Sequence, residues 1–179
     1  FRLNSSRNYL KWYKQKHRAP NNIKKSIYSL PEITGKVIQN FKIISCPGCY
    51  PTSILLPLIP LIKKNMIKLK NIIADSKSGY SGAGRGVHKI YAKKNLYNSL
   101  KAYGVGFHRH NSEIEQELKK YTKNENINII FTPHISPMFK GILSTIYIET
   151  KNGVSVKKLN KVLKNTFAKK QFVKIKKIN

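Results

Sequence analysis

Apolar residues recur along this chain in short runs divided by Gly, Pro, Asn and Ser, and the runs change in kind as the chain advances. Residues 8–16 mix aromatic and basic side chains and predict a helix. Loops follow at Ala19-Pro20-Asn21-Asn22 and at Tyr28-Ser29-Leu30-Pro31-Glu32. Residues 41–44 read as a strand, and after a cysteine-containing loop a helix carrying the apolar run 54–62 extends to about residue 62, kinked where Pro57 and Pro60 remove hydrogen bonds. A strand is expected over 68–74, a Gly/Ser loop over 76–86 and a helix over 87–100. A further helix is expected over 113–121, capped by Asn111 or Ser112. Residues 127–131 and 142–149 are β-rich. Gly153-Val154 ends the last strand, and Ser155 caps a helix over 156–167. Strands alternating with helices predict an α/β (α+β) domain with a mixed sheet and flanking helices, and no internal repeat is present.

Composition alters this picture little. The net charge of +28 points first to nucleic acid or an anionic membrane. Yet the chain has 30 lysines against five arginines, with 23 isoleucines and 17 asparagines. All three abundant residues have A/T-rich codons, so base composition explains the charge without a partner. A phosphate-reading surface would use the bidentate fork of arginine more heavily. A basic nucleic-acid-binding protein is therefore the alternative reading, and neither specific nucleic acid nor membrane is the expected partner. The two cysteines form no disulfide framework, no cleavable leader pattern opens the chain, and the longest apolar run is too short for a bilayer. A cytoplasmic protein is expected.

The most informative stretch is Ser45-Cys46-Pro47-Gly48-Cys49-Tyr50-Pro51-Thr52. A cysteine between a strand and a helix meets unpaired N–H groups and the helix dipole, which favour a thiolate. Pro51 suits a first helical turn, where its missing N–H costs nothing. Cys49 is thus placed like a nucleophile, although a buried small hydrophobe would fit the same position. Cys46-Pro47-Gly48-Cys49 also imitates a redox pair, but about 40 residues precede it, unlike a thioredoxin-type motif. No second cysteine pair exists for a metal, and none is expected.

Three more blocks follow in order: Ser78-Gly79-Tyr80-Ser81-Gly82-Ala83-Gly84-Arg85, then His108-Arg109-His110-Asn111-Ser112-Glu113-Ile114, then Phe131-Thr132-Pro133-His134 running on to Pro137-Met138-Phe139-Lys140-Gly141-Ile142. Together with the cysteine block they resemble the N-acetyl-gamma-glutamyl-phosphate reductase family of the aspartate-semialdehyde dehydrogenase superfamily, over nearly the whole chain. The resemblance implies an NADP-dependent reduction of an acyl phosphate through a cysteine thioester, a step of arginine biosynthesis. A related reductase acting on aspartyl phosphate is the rival within the enzyme class.

By the same resemblance Cys49 is the nucleophile, and His108 and His110 serve the site, with His110 preferred as acid–base. If extended, residues 108–110 would point both imidazoles to one side and Arg109 to the other. Ser81, Gly82, Arg85, Arg109, Glu113 and Lys140 would bind the acyl phosphate. Ser78, Gly79 and Gly82 would border the NADP(H) nicotinamide. Glu113 could also orient a histidine, and His134 is expected to be structural. Three departures stand out: Cys46 where many relatives have asparagine, Asn111-Ser112 for the commoner Thr-Pro, and Lys140 for arginine. No G-x-G-x-x-G follows an opening strand. Members of the family begin with such a dinucleotide domain, so the resemblance implies that residues 1–40 end a Rossmann-type dinucleotide domain and that 41–179 form most of a catalytic and dimerisation domain. The reading is of a fragment, homo-oligomeric when complete.

Overall fold

The computed structural model describes residues 1–83, 98–123 and 126–176. The polypeptide begins with helix α1 (Ser6–Tyr13). A 3-10 turn leads from it into strand β1 (Ser26–Tyr28), and the short helix α2 (Pro31–Thr34) and a second 3-10 turn lead on to β2 (Ile43–Ser45). β1 and β2 pair in parallel as a two-stranded sheet of their own.

Helix α3 (Cys49–Lys63) follows at once and is the centre of the core. It runs through Pro57 and Pro60. An interior proline costs about 3 kcal/mol, and burial of Ile54, Leu55, Leu58, Ile59, Leu61 and Ile62 offsets it. The second sheet has the order β4 (Lys101–Ala102), β5 (Ile129–Ser136), β3 (Ile72–Gly79), β6 (Ile142–Tyr147). β3 and β5 are parallel, while β4 and β6 run antiparallel to their neighbours, so the sheet is mixed. α3 packs on β6 and on helices α4 (His110–Lys119) and α5 (Val156–Phe167).

Among the described residues only one face of this sheet is covered. Ile72, Ala74, Ser76 and Ser78 of β3 point into the core, whereas Ile73 shares the opposite face with Ile130 and Tyr147, which flank it in register. On the inner face Ser144 Oγ lies 2.7 Å from both Ser53 Oγ and Ser76 Oγ, tying α3 to β6 and β3 through hydroxyls.

Helix α5 with its Ser155 cap matches the sequence reading. Other elements differ. The third strand covers residues 72–79 and not 68–74, with the small side chains of Ala74, Ser76 and Ser78 on its buried face. Their alternation with Ile73, Asp75 and Lys77 is a strand period that the Gly/Ser composition hides. Helix α4 starts at His110, three residues early. Asn111 and Ser112 lie inside its first turn, where Ser112 Oγ donates to Arg109 O (2.7 Å). Strand β5 runs five residues beyond Phe131, and through Pro133, whose carbonyl accepts the Tyr103 N–H. The expected boundary at 40/41 falls between β1 and β2, which pair with each other. The helix expected over 87–100 lies mostly outside the described residues.

Candidate active site at the start of helix α3

Cys49 is the first residue of α3, and Gly48 is its N-cap. Pro51 occupies the third helical position, where no N–H is required. Thr52 closes the turn, its N–H and Oγ1 both donating to Gly48 O at 3.0 and 2.9 Å. Cys49 is exposed and lines a cavity of about 330 Å³ with Tyr50, Ser78, Gly82, Lys101, Tyr103, His108, Arg109, His110 and Ile135. Cys46 is exposed too, outside this lining.

The two histidines meet here, although not by strand alternation. Residues 108–110 form a turn entering α4, and the two imidazole centroids lie 4.7 Å apart. His108 Nδ1 accepts the His110 backbone N–H at 3.2 Å. Arg109 joins them at the cavity wall, its guanidinium 5.6 Å from the Tyr13 ring. Burial lowers the pKa of both imidazoles: His108, also beside Arg109, falls to about 4. His110, buried and beside His108, Arg2 and Arg109, falls to about 3. His110 Nδ1 has no hydrogen-bond partner among the described residues. Near neutral pH both rings are therefore uncharged, and the 3.8 Å approach of His110 Nε2 to Glu113 Oε1 is not an ion pair.

These shifts have a stability consequence. The unfolded chain takes up a proton on His110 near pH 6.5, whereas the folded protein resists until about pH 3. The unfolded state thus binds more protons in that window, so stability is full above pH 6.5 and is lost as pH falls through it. His110→Asn is expected to flatten this loss by up to about 1.4 kcal/mol per pH unit. Urea melts at pH 7, 6 and 5 check it, and an unchanged slope would refute burial of a neutral ring.

Glu113 is wholly buried behind the cavity and outside its lining, where its Oε2 accepts from Tyr28 OH and from Gly48 N–H, both at 3.1 Å. Arg2 Nη1 lies 3.5 Å from Oε1. Burial raises the Glu113 pKa above the usual carboxylate range, opposed by the Gly48 hydrogen bond, Arg2 and Tyr28. Gly48 is required for a second reason. A Cβ there would lie 2.3 Å from His110 Nε2, so the ring rests on the glycine backbone. Gly48→Ala is expected to push that ring away and lower turnover about 10²-fold. Turnover within twofold of wild type would contradict the packing.

The second and fourth sequence blocks clasp each other through backbone. Gly79 N donates to Gly141 O (2.9 Å), and Ser81 N to Phe139 O (3.0 Å). A Cβ on Gly79 would lie 2.7 Å from the Lys140 backbone, so only glycine fits this approach. Of the expected site residues, Cys49, His108, His110, Arg109, Ser78 and Gly82 converge on the cavity. Gly79, Ser81 and Lys140 lie outside its described lining, and Lys140 is exposed. Arg85 lies outside the described residues. His134 faces away from the helices, its Nδ1 3.1 Å from Asp75 Oδ1, while its carbonyl accepts from Tyr50 OH (3.0 Å).

Sequence reasoning missed Tyr50, Tyr103 and Lys101. Tyr103 OH donates to Tyr50 OH at 3.1 Å, and both rings pack edge-on against His108. Tyr50 adjoins Cys49 and was findable from that. Lys101 and Tyr103 reach the cavity only because β4 pairs with β5. Among the described residues no group of three or more His, Cys, Asp and Glu side chains is placed to hold a metal ion. No helix among them is long and apolar enough to cross a membrane.

A mixed sheet covered on one face, with a cysteine opening a buried helix beside paired neutral histidines, defines a domain of the semialdehyde dehydrogenase type. The family described as "Semialdehyde dehydrogenase, dimerisation domain" matches residues 49–179. Aspartate semialdehyde dehydrogenase II from Vibrio cholerae superposes with a TM-score of 0.61 at 18% identity, over 79% of this chain and 49% of that one. The Francisella tularensis enzyme gives 0.58 at 11% identity, over 80% and 52%. These likenesses show the fold. In sequence, the chain is 47% identical to N-acetyl-gamma-glutamyl-phosphate reductase of Pelobacter propionicus over 98% of its length and 50% of the relative's. It is 43% identical to a probable chloroplastic N-acetyl-gamma-glutamyl-phosphate reductase of Arabidopsis thaliana, over 98% and 43%. The chain belongs to the semialdehyde dehydrogenase dimerisation-domain family, and it spans about half the length of the curated relatives it matches.

Proposed function

We propose that the complete protein reduces N-acetyl-gamma-glutamyl phosphate to the semialdehyde with release of phosphate, a step of arginine biosynthesis, through a thioester on Cys49. The observation that carries this reading is one cavity holding Cys49, the neutral imidazole of His110 and the cations of Arg109 and Lys101. An uncharged His110 can take the proton from the Cys49 thiol, and the sulfur then attacks the acyl carbon. The C–O bond to phosphate breaks, and Arg109 and Lys101 are suited to receive the departing anion. When bound, NADPH supplies the hydride that converts the thioester to the aldehyde level. Protonated His110 returns its proton to the reduced oxygen; on collapse, His110 takes the hydroxyl proton back and passes it to the sulfur as the C–S bond breaks, which frees the aldehyde and the Cys49 thiol. The unpartnered His110 Nδ1 supports the reading, because a buried unpaired nitrogen costs about 1–3 kcal/mol until a partner arrives.

For the cofactor the fit is partial. Ser78 and Gly82 border the cavity beside Cys49, and a Cβ on Gly82 would meet Ser78 Oγ at 3.0 Å, so the backbone approaches closely there. These residues would hold the nicotinamide end. No Gly-rich strand-to-helix turn for a pyrophosphate occurs among the described residues. That cradle is assigned to the half of the relatives that this chain does not span, with the parallel β1–β2 pair as the end of its sheet.

The reading is tested by phosphate-dependent NADP reduction with N-acetylglutamate semialdehyde, run beside aspartate semialdehyde. Preference for the aspartyl substrate would favour the rival reductase.

The open sheet face is proposed to pair with a second copy, in keeping with the dimerisation description of the matching family. Leu143 is 62% exposed on this face. Leu143→Glu is expected to weaken self-association at least about tenfold without unfolding the protein. Sedimentation over a concentration series reads it, and unchanged association would place the interface elsewhere.

A further inference from the structure

We infer that Glu113 is a positioning residue that locks the Cys49 turn to the histidine helix through the Gly48 N–H, and not a ligand of the substrate. Four segments meet at this one carboxylate. Arg2 approaches it from the start of the chain, Tyr28 from β1 and Gly48 from the cysteine turn, while Glu113 itself lies one helical turn after His110. It is fully buried, and Oε2 takes both 3.1 Å hydrogen bonds. Arg2 is the cation beside Oε1, and pairing of this kind makes a buried carboxylate tolerable.

The mechanical consequence follows from Gly48. Its N–H is held by Glu113 and its Cα is covered by the His110 ring, while its carbonyl receives Thr52 at the first turn of α3. One residue thereby sets both where α3 begins and how far its first residue, Cys49, lies from the imidazole. Release of the N–H frees the turn to drift from His110, and a 1 Å error between a nucleophile and its base costs on the order of 10² in rate. A substrate ligand would act differently, since its loss weakens binding before it slows chemistry.

This inference rests on the proposed roles of Cys49 and His110, and its test separates the two. In the complete protein, Glu113→Ala is expected to lower kcat about 10²-fold with KM changed less than about threefold. Alkylation of Cys49 by iodoacetamide, in a Cys46→Ser background, is expected to slow about tenfold in the same variant, through the lost placement of His110. Glu113→Gln keeps an oxygen within reach of the Gly48 N–H and is expected to recover at least about a tenth of wild-type kcat. Glu113→Asp keeps the charge but withdraws it by one methylene, and is expected to fall below Gln. A large rise in KM with kcat preserved would make Glu113 a substrate ligand and overturn the inference. So would a folded Glu113→Ala with unchanged kcat and unchanged alkylation. If Glu113→Ala does not fold, the order of Gln and Asp decides, and Asp above Gln would show that charge and not reach is required. The alkylation rate needs no turnover, so it stands or falls independently of which acyl phosphate the protein uses.

Discussion

Cys49→Ser is expected to lower turnover of the acyl phosphate by roughly 10⁴-fold or more, because a serine hydroxyl is a far weaker nucleophile at neutral pH and a less labile ester would form in place of the thioester. Cys46→Asn is expected to stay within about threefold of wild type, since Cys46 lies outside the cavity that Cys49 lines. The contrast between two cysteines three residues apart is the informative part. Equal losses from both substitutions would favour dithiol chemistry over acyl transfer.

The second large effect concerns His110. His110→Asn is expected to reduce kcat by about 10²–10⁴-fold while KM moves little, because proton transfer is realised in the transition state. His108→Asn should act mainly on KM or on positioning, as His108 holds the His110 N–H and packs between Tyr50 and Tyr103. The low pKa values sharpen this expectation. With His110 protonating only near pH 3 in the free site, the acidic limb of kcat/KM should not carry an inflection from this ring near pH 6.5. A purely affinity-type effect from both substitutions would remove His110 from the acid–base role.

The nucleophile's setting was legible in the sequence because it is local. A strand, a Gly-containing turn, a cysteine and Pro51 state a helix start within eight residues, and α3 begins at Cys49. Ser155 and the apolar spacing after it announced α5 for the same reason. What failed was composition read as conformation. The run from Ser76 to Gly79 looked like loop, yet Ser76 and Ser78 are buried on the sheet's inner face, where Ser76 Oγ meets Ser144 Oγ. The histidine pair was found, but its geometry comes from the turn into α4 and not from an extended segment. Glu113 was read as a substrate ligand that could also orient a histidine. Its burial depends on Arg2, Tyr28 and Gly48, which lie 111, 85 and 65 residues away and which no local pattern connects. Lys101 and Tyr103 were invisible for the same reason, since only β4–β5 pairing brings them to the cavity.

The central claim is that the Cys49 sulfur takes the acyl group from the phosphate. Mixing the complete protein with N-acetyl-gamma-glutamyl phosphate in the absence of NADPH, quenching in acid and mapping peptides by mass spectrometry tests it most directly. The account predicts release of one phosphate per site and one N-acetylglutamyl group on the peptide carrying Cys49, removable by hydroxylamine and absent from Cys49→Ser. The same group on Cys46, or no acylated peptide from a preparation that turns over when NADPH is added, would contradict it.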